Sequence, residues 1–226
     1  MIIISGANGG IGNKIINFLP KGNKIVAIYF KNKPTIKNKN IKLAKIDFSK
    51  LNSINIFKSI NFKNEKRITF LNLASIKTNK LSLNVSLNEL KKNFAVNSLS
   101  YFVIIKQLLP IMIKNKWGRV INFSSTGGMR GDMGTLSYTS SKHSSLGMNK
   151  VFSKEYAKFN ITFNTINLGS FKTGMYEKLN KKIQNKILKE IPSGKTGKFC
   201  NIRNAIRFII SSDYVNGTEI NIDGGI

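Results

Sequence analysis

The opening of the chain limits its fold more than any other stretch. Three isoleucines and Ser5 follow Met1 and run straight into Ser5-Gly6-Ala7-Asn8-Gly9-Gly10-Ile11-Gly12, after which a helical pattern begins. An apolar run of this kind reads as a strand buried on both faces, which suits a parallel sheet covered by helices. Glycines at 6, 10 and 12 permit a tight turn, let backbone N–H groups approach a pyrophosphate, and let the new helix pack close to the sheet. The helix N-terminus then meets the anion with its positive dipole end. Asn8 and Ile11 belong to the same turn. The spacing is G-x-x-x-G-x-G rather than the common G-x-G-x-x-G, and a glycine turn alone is also what a tight βα corner needs.

The rest of the chain repeats the alternation. Strand patterns fall at 2–5, 24–30, 41–46, 67–73, 119–124, 162–167 and 219–222, and helical patterns at 10–19, 51–60, 86–114, 137–159, 176–190 and 202–211. Strands alternating with helices predict an α/β fold, a doubly wound Rossmann-type parallel sheet of about seven strands with helices on both faces. No internal repeat or linker divides the 226 residues. A single dinucleotide-binding domain over 1–226 is the simplest organisation, with a substrate loop or lid at about 169–197. The Lys/Asn stretch at 31–45 reads as a solvated connection.

Charge carries less than its size suggests. The net charge is +27, yet the chain holds 33 Ile, 32 Lys and 29 Asn against 7 Ala and 5 Arg. The three abundant residues share A/T-rich codons, so drift in base composition raises them together. A surface selected for phosphate would favour arginine, whose planar fork binds it bidentately. No specific nucleic-acid partner is expected. The longest apolar run, 101–113, is interrupted by Lys106, Gln107 and Pro110 and falls short of a bilayer span. With no basic leader ahead of the first apolar run either, a cytoplasmic protein without a membrane partner is expected. One cysteine and one histidine exclude a disulfide framework and any metal cluster built on those residues, so no metal site is expected.

The chemistry concentrates downstream. Arg119-Val120-Ile121-Asn122-Phe123-Ser124-Ser125 reads as a buried strand ending in serines, and Tyr138 and Lys142 follow in Tyr138-Thr139-Ser140-Ser141-Lys142. Residues i and i+4 share a helix face, so phenol and ammonium point into one space. A lysine held there favours the phenolate and lowers the tyrosine pKa toward neutrality, as an acid/base group requires. A serine hydroxyl at a neighbouring strand end would orient a carbonyl oxygen. A lone Y-x-x-x-K is common by chance, and the weight lies in the combination.

With these features in order, the chain resembles the single-domain short-chain dehydrogenase/reductases over essentially its whole length. Gly6, Gly10 and Gly12 match that family's cofactor turn, with Ser5 where Thr is usual. Asp47 stands where the family contacts adenine, and Asn72-Leu73-Ala74-Ser75 partly matches its Asn-Asn-Ala-Gly. Asn97 occupies the place of the structural and catalytic asparagine. Ser125, Tyr138 and Lys142 match the catalytic set, and Gly169 and Thr173 match the segment after strand six, with Leu168 replacing Pro. Asp223-Gly224-Gly225 resembles the family's C-terminal signature.

The resemblance implies hydride transfer between a nicotinamide and a carbonyl or secondary alcohol. Tyr138 would move the proton, Ser125 would position the oxygen, and Lys142 would hold the nicotinamide ribose. Asn97 would hold a water of the relay, and Gly169 and Thr173 would meet the nicotinamide amide. Ser75 in place of Gly is expected to narrow the room near the adenosine ribose. The end of strand two, Ile28-Tyr29-Phe30-Lys31-Asn32-Lys33, has no acid for a ribose 2′-hydroxyl. Lys31 there points to NADP(H), with NAD(H) the alternative.

The segment 191–197 and the Asp-Gly-Gly ending most resemble 3-oxoacyl-[acyl-carrier-protein] reductases, whose acidic carrier a basic rim would attract. Lys116 and Lys158 are expected near such contacts. A sugar, polyol or sugar-nucleotide reductase of a polysaccharide pathway is the rival enzyme, and a nucleotide-sensing or nucleic-acid-binding protein the non-catalytic one. The substrate is a small-molecule or carrier-protein-bound carbonyl, and the resemblance suggests a homotetramer or homodimer through the helices bearing Asn97 and Tyr138. His143, one step from Lys142, should face away. Trp117 should pack at the start of strand five, and Cys200 should be a helix-cap or core residue. Met175 and Tyr176 would line a lid or pack beneath it.

Overall fold

A computed structural model describes residues 1–20, 22–34, 40–173 and 176–226. Seven strands form one sheet, all pairs parallel: β1 (Ile2–Ser5), β2 (Ile25–Tyr29), β3 (Ile41–Lys45), β4 (Thr69–Asn72), β5 (Gly118–Ser125), β6 (Ile161–Leu168) and β7 (Glu219–Ile222), in the order β3-β2-β1-β4-β5-β6-β7. The chain winds outward from β1 in one direction and from β4 in the other. The carboxyl ends of those two strands therefore border the crevice where a doubly wound sheet receives its ligand.

Two apolar layers hold the helices to the sheet. On one face α4 (Ser100–Lys114) and α6 (Leu136–Glu155) pack over β4, β5 and β6 through Tyr101, Ile104, Leu108, Met112 and Phe152. On the other, α1 (Gly10–Phe18) and α8 (Phe199–Ser211) bury Ile15, Ile16, Ile202, Ile206 and Ile209. Helix α1 stops where Leu19 turns extended ahead of Pro20, as the residue before a proline tends to do.

The long helical pattern at 86–114 is one run with a defect inside it. Ser86 caps α3 (Leu87–Phe94) in a box with Glu89, and a π turn at Ala95–Leu99 joins α3 to α4. Leu87–Lys114 is long and apolar enough to cross a membrane, but half of its most apolar window is buried. Its apolar side is the core layer, with Tyr101 and Ile104 fully buried.

The pattern at 51–60 breaks where one helix was expected. A 3₁₀ turn at Leu51–Ser53 is followed by a single turn, α2 (Ile56–Ser59). Ser53 bonds back to the Lys50 carbonyl, and the Asn55 side chain accepts from Phe57 and Lys58. Short polar side chains compete with the helical ladder in this way. Gln107 of α4 then fixes the break by bonding the Ile56 N–H and the Ile54 carbonyl.

Candidate active site

The turn after β1 is shaped by backbone sterics. Gly6 has φ 67°, and a Cβ there would lie 2.8 Å from the Ala74 nitrogen; a Cβ on Gly12 would collide with the Gly6 carbonyl. Gly10 and Ile11 open α1, so the helix start faces the crevice. Ala7 ties the turn to β2 through the Ile28 carbonyl, with Asn8 next to it at the crevice mouth.

The far wall of the crevice is braced from inside the sheet. The strand register sets Ser5 beside Asn72, Asn72 beside Asn122 and Asn122 beside Thr165. Ser5 Oγ donates to Asn72 Oδ1 at 2.7 Å, Asn72 Nδ2 to Asn122 Oδ1 at 2.9 Å, and Asn122 Nδ2 to Ser145 Oγ at 3.0 Å. Ser5 Oγ also accepts from the N–H groups of Leu73 and Ala74. This row orients Asn72 and Ala74. The one sequence sign of it is an asparagine in each of two buried strands. Satisfied buried networks of this kind rigidify a core.

Other expected cofactor contacts are spread along the crevice. Asp47 follows β3, and its Oδ1 accepts from the Ser49 N–H and hydroxyl. Lys31 lies two residues beyond β2 and is exposed. Gly169 follows β6 and donates to the Ile222 carbonyl, while Thr173 is buried at the start of the loop toward α7 (Lys181–Glu190). Leu168 carries β6 one residue beyond the expected end, because its N–H and free φ let the ladder continue.

Ser125, Tyr138 and Lys142 come together at the carboxyl end of β5. Ser125 is the last residue of that strand and leads into a helix unmarked in the sequence pattern, α5 (Thr126–Arg130), which holds two glycines. A Cβ on Gly128 would stand 3.0 Å from the Tyr138 ring, so its small size lets the phenol in. Tyr138 and Lys142 sit one turn apart on α6, 7% and 2% exposed.

The electrostatics differ from the expectation. Burial raises the Tyr138 pKa, and the hydroxyls of Ser125 and Ser75 draw it back down. Lys142 donates to the Phe123 carbonyl at 2.8 Å, with its ammonium 5.9 Å from the Tyr138 ring centre. Burial also lowers Lys142 itself to about 8. The protonated phenol is therefore the favoured form, and the neighbouring lysine does not carry it to neutrality. Ser75, expected beside the adenosine ribose, instead puts a second hydroxyl at the phenol.

The Asn97 side chain is taken up by the fold. It lies in the π turn, a defect that often marks functional sites. Its Oδ1 accepts from Ile76 N at 2.8 Å, and its Nδ2 donates to Ile76 O and Ser141 Oγ, both at 2.9 Å. Both amide N–H groups are thus committed to the fold. The side chain clamps the segment carrying Ser75 and Lys77 onto α6, and Lys77 Nζ lies 5.6 Å from the Tyr138 ring centre. Neither Ser75 nor Lys77 carries a motif that would have marked it.

Lys116 and Lys158 prove to be misplaced as site residues. They precede β5 and β6, so they lie at the amino ends of strands whose carboxyl ends form the site. His143 is exposed and meets the Thr139 carbonyl. Trp117 packs at the start of β5 between Arg67 and Arg119. Cys200 is exposed in the first turn of α8, so the core alternative falls away. Tyr176 is buried, while Met175 lies outside the described residues.

A doubly wound sheet with an anion-shaped turn after β1 and a serine, tyrosine and lysine beside the switch point defines a nicotinamide-dependent oxidoreductase. The family model for short chain dehydrogenases matches residues 1–184. The chain belongs to that family. It is 30% identical over 230 residues to the 3-oxoacyl-[acyl-carrier-protein] reductase FabG of Rickettsia conorii, covering 99% of this chain and 95% of the relative. It is 32% identical over 235 residues to FabG of Buchnera aphidicola subsp. Baizongia pistaciae, covering 99% and 96%. Among solved structures, a 4-hydroxyisoleucine dehydrogenase mutant complexed with NADH and succinate superposes with a TM-score of 0.90 at 27% identity, covering 100% of this chain and 98% of that one. ElxO with NADP bound shares the fold at a TM-score of 0.86 and 22% identity, covering 99% and 97%.

Proposed function

We propose that the chain is an NADP(H)-preferring ketoreductase that reduces a 3-oxoacyl group on a thioester carrier. The apolar rim beside Tyr138 carries this reading. Leu81, Leu83, Met133 and Leu136 are 56%, 94%, 90% and 46% exposed. A hydrogen bond from Lys80 N to Gly134 O joins their two segments just ahead of Tyr138 on α6. Exposed apolar patches of this kind mark binding surfaces, and this one suits an acyl chain better than a sugar. Lys77 adds a cation on the same side for an anionic carrier. Residues 169–197 serve as the lid, and a cytoplasmic homotetramer or homodimer is the expected form.

In the mechanism, the turn at Gly6 to Gly12 and the α1 amino end would hold the pyrophosphate, and Asp47, Asn72 and Ala74 would line the adenosine side. Lys142 would hold the nicotinamide ribose, and Gly169 and Thr173 the carboxamide. The bound nicotinamide supplies the hydride. Ser125 orients the carbonyl oxygen, and Tyr138 donates its phenolic proton to it. Asn97 and Ser75 position this pair.

Oxidation of NADPH followed with a 3-oxoacyl thioester and a panel of ketoses and sugar nucleotides tests the reading. The thioester is expected to exceed every sugar in kcat/KM by about 100-fold, and comparable turnover of a sugar would reject the acyl assignment.

The cofactor preference rests on β2. Gly9 brings no side chain to the turn and no acid follows Tyr29, which leaves Lys31 as the nearest selective charge. Lys31→Asp is expected to raise the KM for NADPH about 10-fold to 100-fold, the range of a lost charge-assisted hydrogen bond, and to lower that for NADH. An unchanged ratio of the two constants would remove Lys31 from cofactor selection.

A further inference from the structure

Four of the five arginines of this lysine-rich chain share one edge of the sheet, while Arg130 lies apart in α5 beside Asp132. Arg67, just ahead of β4, Arg119 in β5, and Arg203 and Arg207 in α8 gather at the amino ends of the strands. That edge is separated from Ser125 by the length of β5, about 20 Å at the usual strand rise. A cavity of roughly 390 Å³ opens there between α1 and α8, walled by Phe18, Leu19, Trp117, Ile206 and Ile210. Its size falls in the range of about 300–1,000 Å³ common for small-ligand sites.

Arg119 is accounted for by the fold. It donates to the carbonyls of Gly118, Asn160 and Ile210 and to Asn160 Oδ1, and Asp213 lies close enough to favour its charge. The three arginines lining the cavity differ. Arg67 rests over the Trp117 ring at 5.6 Å, and Arg203 Nε is buried without a hydrogen-bond partner. Among the described residues, no carboxylate pairs with Arg67, Arg203 or Arg207. The nearby acid Glu65 is occupied by Lys24 and the amino terminus.

Arg67 and Arg207 reach the cavity from exposed positions and Arg203 from a half-buried one, which concentrates positive charge there, and the buried Arg203 Nε without an acceptor is unfavourable. Lysine outnumbers arginine 32 to 5 in this chain, so a bare positive charge would be expected as lysine. Arginine offers a planar fork that matches carboxylate and phosphate oxygens, and it stacks on aromatic rings. We propose that this cavity binds a small amphipathic anion, a carboxylate or phosphate on an apolar body. Arg203, Arg207 and Arg67 face the anionic head, and Trp117, Ile206 and Ile210 receive the body. The site is separate from the oxidoreductase centre and stands whether or not the acyl reading holds.

Trp117 is the sole tryptophan, so its emission reports on this cavity directly. Octanoate, octyl phosphate and octanol are titrated against the full chain, with calorimetry in parallel. One or both anions should give a saturable emission change, the stronger identifying the preferred head group, while octanol gives none. Arg203→Met with Arg207→Met should weaken binding about tenfold or more, with the melting temperature as the fold control. Arg203→Lys keeps the charge and loses the fork, so it too should weaken binding. Tyr138→Phe should leave the titration unchanged. The proposal is overturned by no saturable change up to about 10 mM anion, the weak end of measurable affinities. It is equally overturned by an equal response to octanol, by wild-type affinity in Arg203→Lys, or by an emission change that follows protein concentration alone.

Discussion

Tyr138→Phe is expected to cut the turnover of carbonyl reduction about 10³-fold, within the range for removing a positioned proton donor, while the Kd for NADPH changes by less than about twofold, a few tenths of a kcal/mol. The phenylalanine ring fills the same space under Gly128, so the fold is kept, and the β1 turn and Lys142, the holds proposed for the cofactor, are untouched. The pH profile adds a second readout. Burial holds the phenol protonated through neutral pH, the form a reductase needs. Lys142, lowered to about 8, starts to lose its charge above that pH. Reduction should therefore hold steady up to about pH 8 and decline beyond it, a falling limb that a phenol ionising near neutrality would have started at lower pH. Single-turnover kinetics from pH 6 to 10 check both points, and a variant retaining a tenth of wild-type turnover would remove Tyr138 as the proton donor.

Much of this site was legible before any coordinates. β1 and β2 are near-continuous apolar runs, the form that burial on both faces imposes, while the edge strands β3 and β7 alternate apolar with polar residues, and all seven appear within two residues of the expected ends. Tyr138 and Lys142 were readable because a four-residue spacing on a helix has one geometric outcome. What stayed hidden depends on contacts between distant segments. Ser75 faces the phenol because Asn97 clamps Ile76 to α6, a relation between positions 20 and more residues apart. The row from Ser5 to Ser145 requires the strand register. The π turn around Asn97 has no composition of its own, and α5 hides behind two glycines that oppose helix formation. Lys116 and Lys158 went astray for a different reason: both precede their strands, and in a parallel sheet that order already sets them at the amino edge, away from the site.

The lysine excess also changes meaning once burial is known. Among the described residues nearly all of it is solvated background, and Lys142 is the exception at 2% exposure. Its location exacts a stability cost that can be measured, because burial lowers its pKa from 10.5 to about 8. At about 1.4 kcal/mol per tenfold, holding this ammonium in the core costs about 3 kcal/mol at neutral pH. Lys142→Met removes the charge and keeps the volume, at the expense of the hydrogen bond to Phe123, about 1–2 kcal/mol. The variant should therefore be more stable than wild type by about 1–2 kcal/mol at pH 7, a rise of a few degrees in Tm, while reduction falls at least about 100-fold.

The sign with pH follows from proton counts. Between pH 8 and 10.5 the unfolded chain holds the Lys142 proton and the folded chain has released it, so wild-type stability climbs through this window. The variant lacks that gain, and its advantage should shrink above pH 8 and reverse by pH 10. Tyr101 and Tyr138, both raised by burial, act in the other direction only above pH 10, and being present in both proteins they cancel in the difference. Urea unfolding of the two proteins at pH 7, 8.5 and 10 reads the effect directly. A stability difference that stays constant over those three values would mean that Lys142 is not buried as an ammonium, and the falling limb expected of the reduction rate above pH 8 would lose its cause as well.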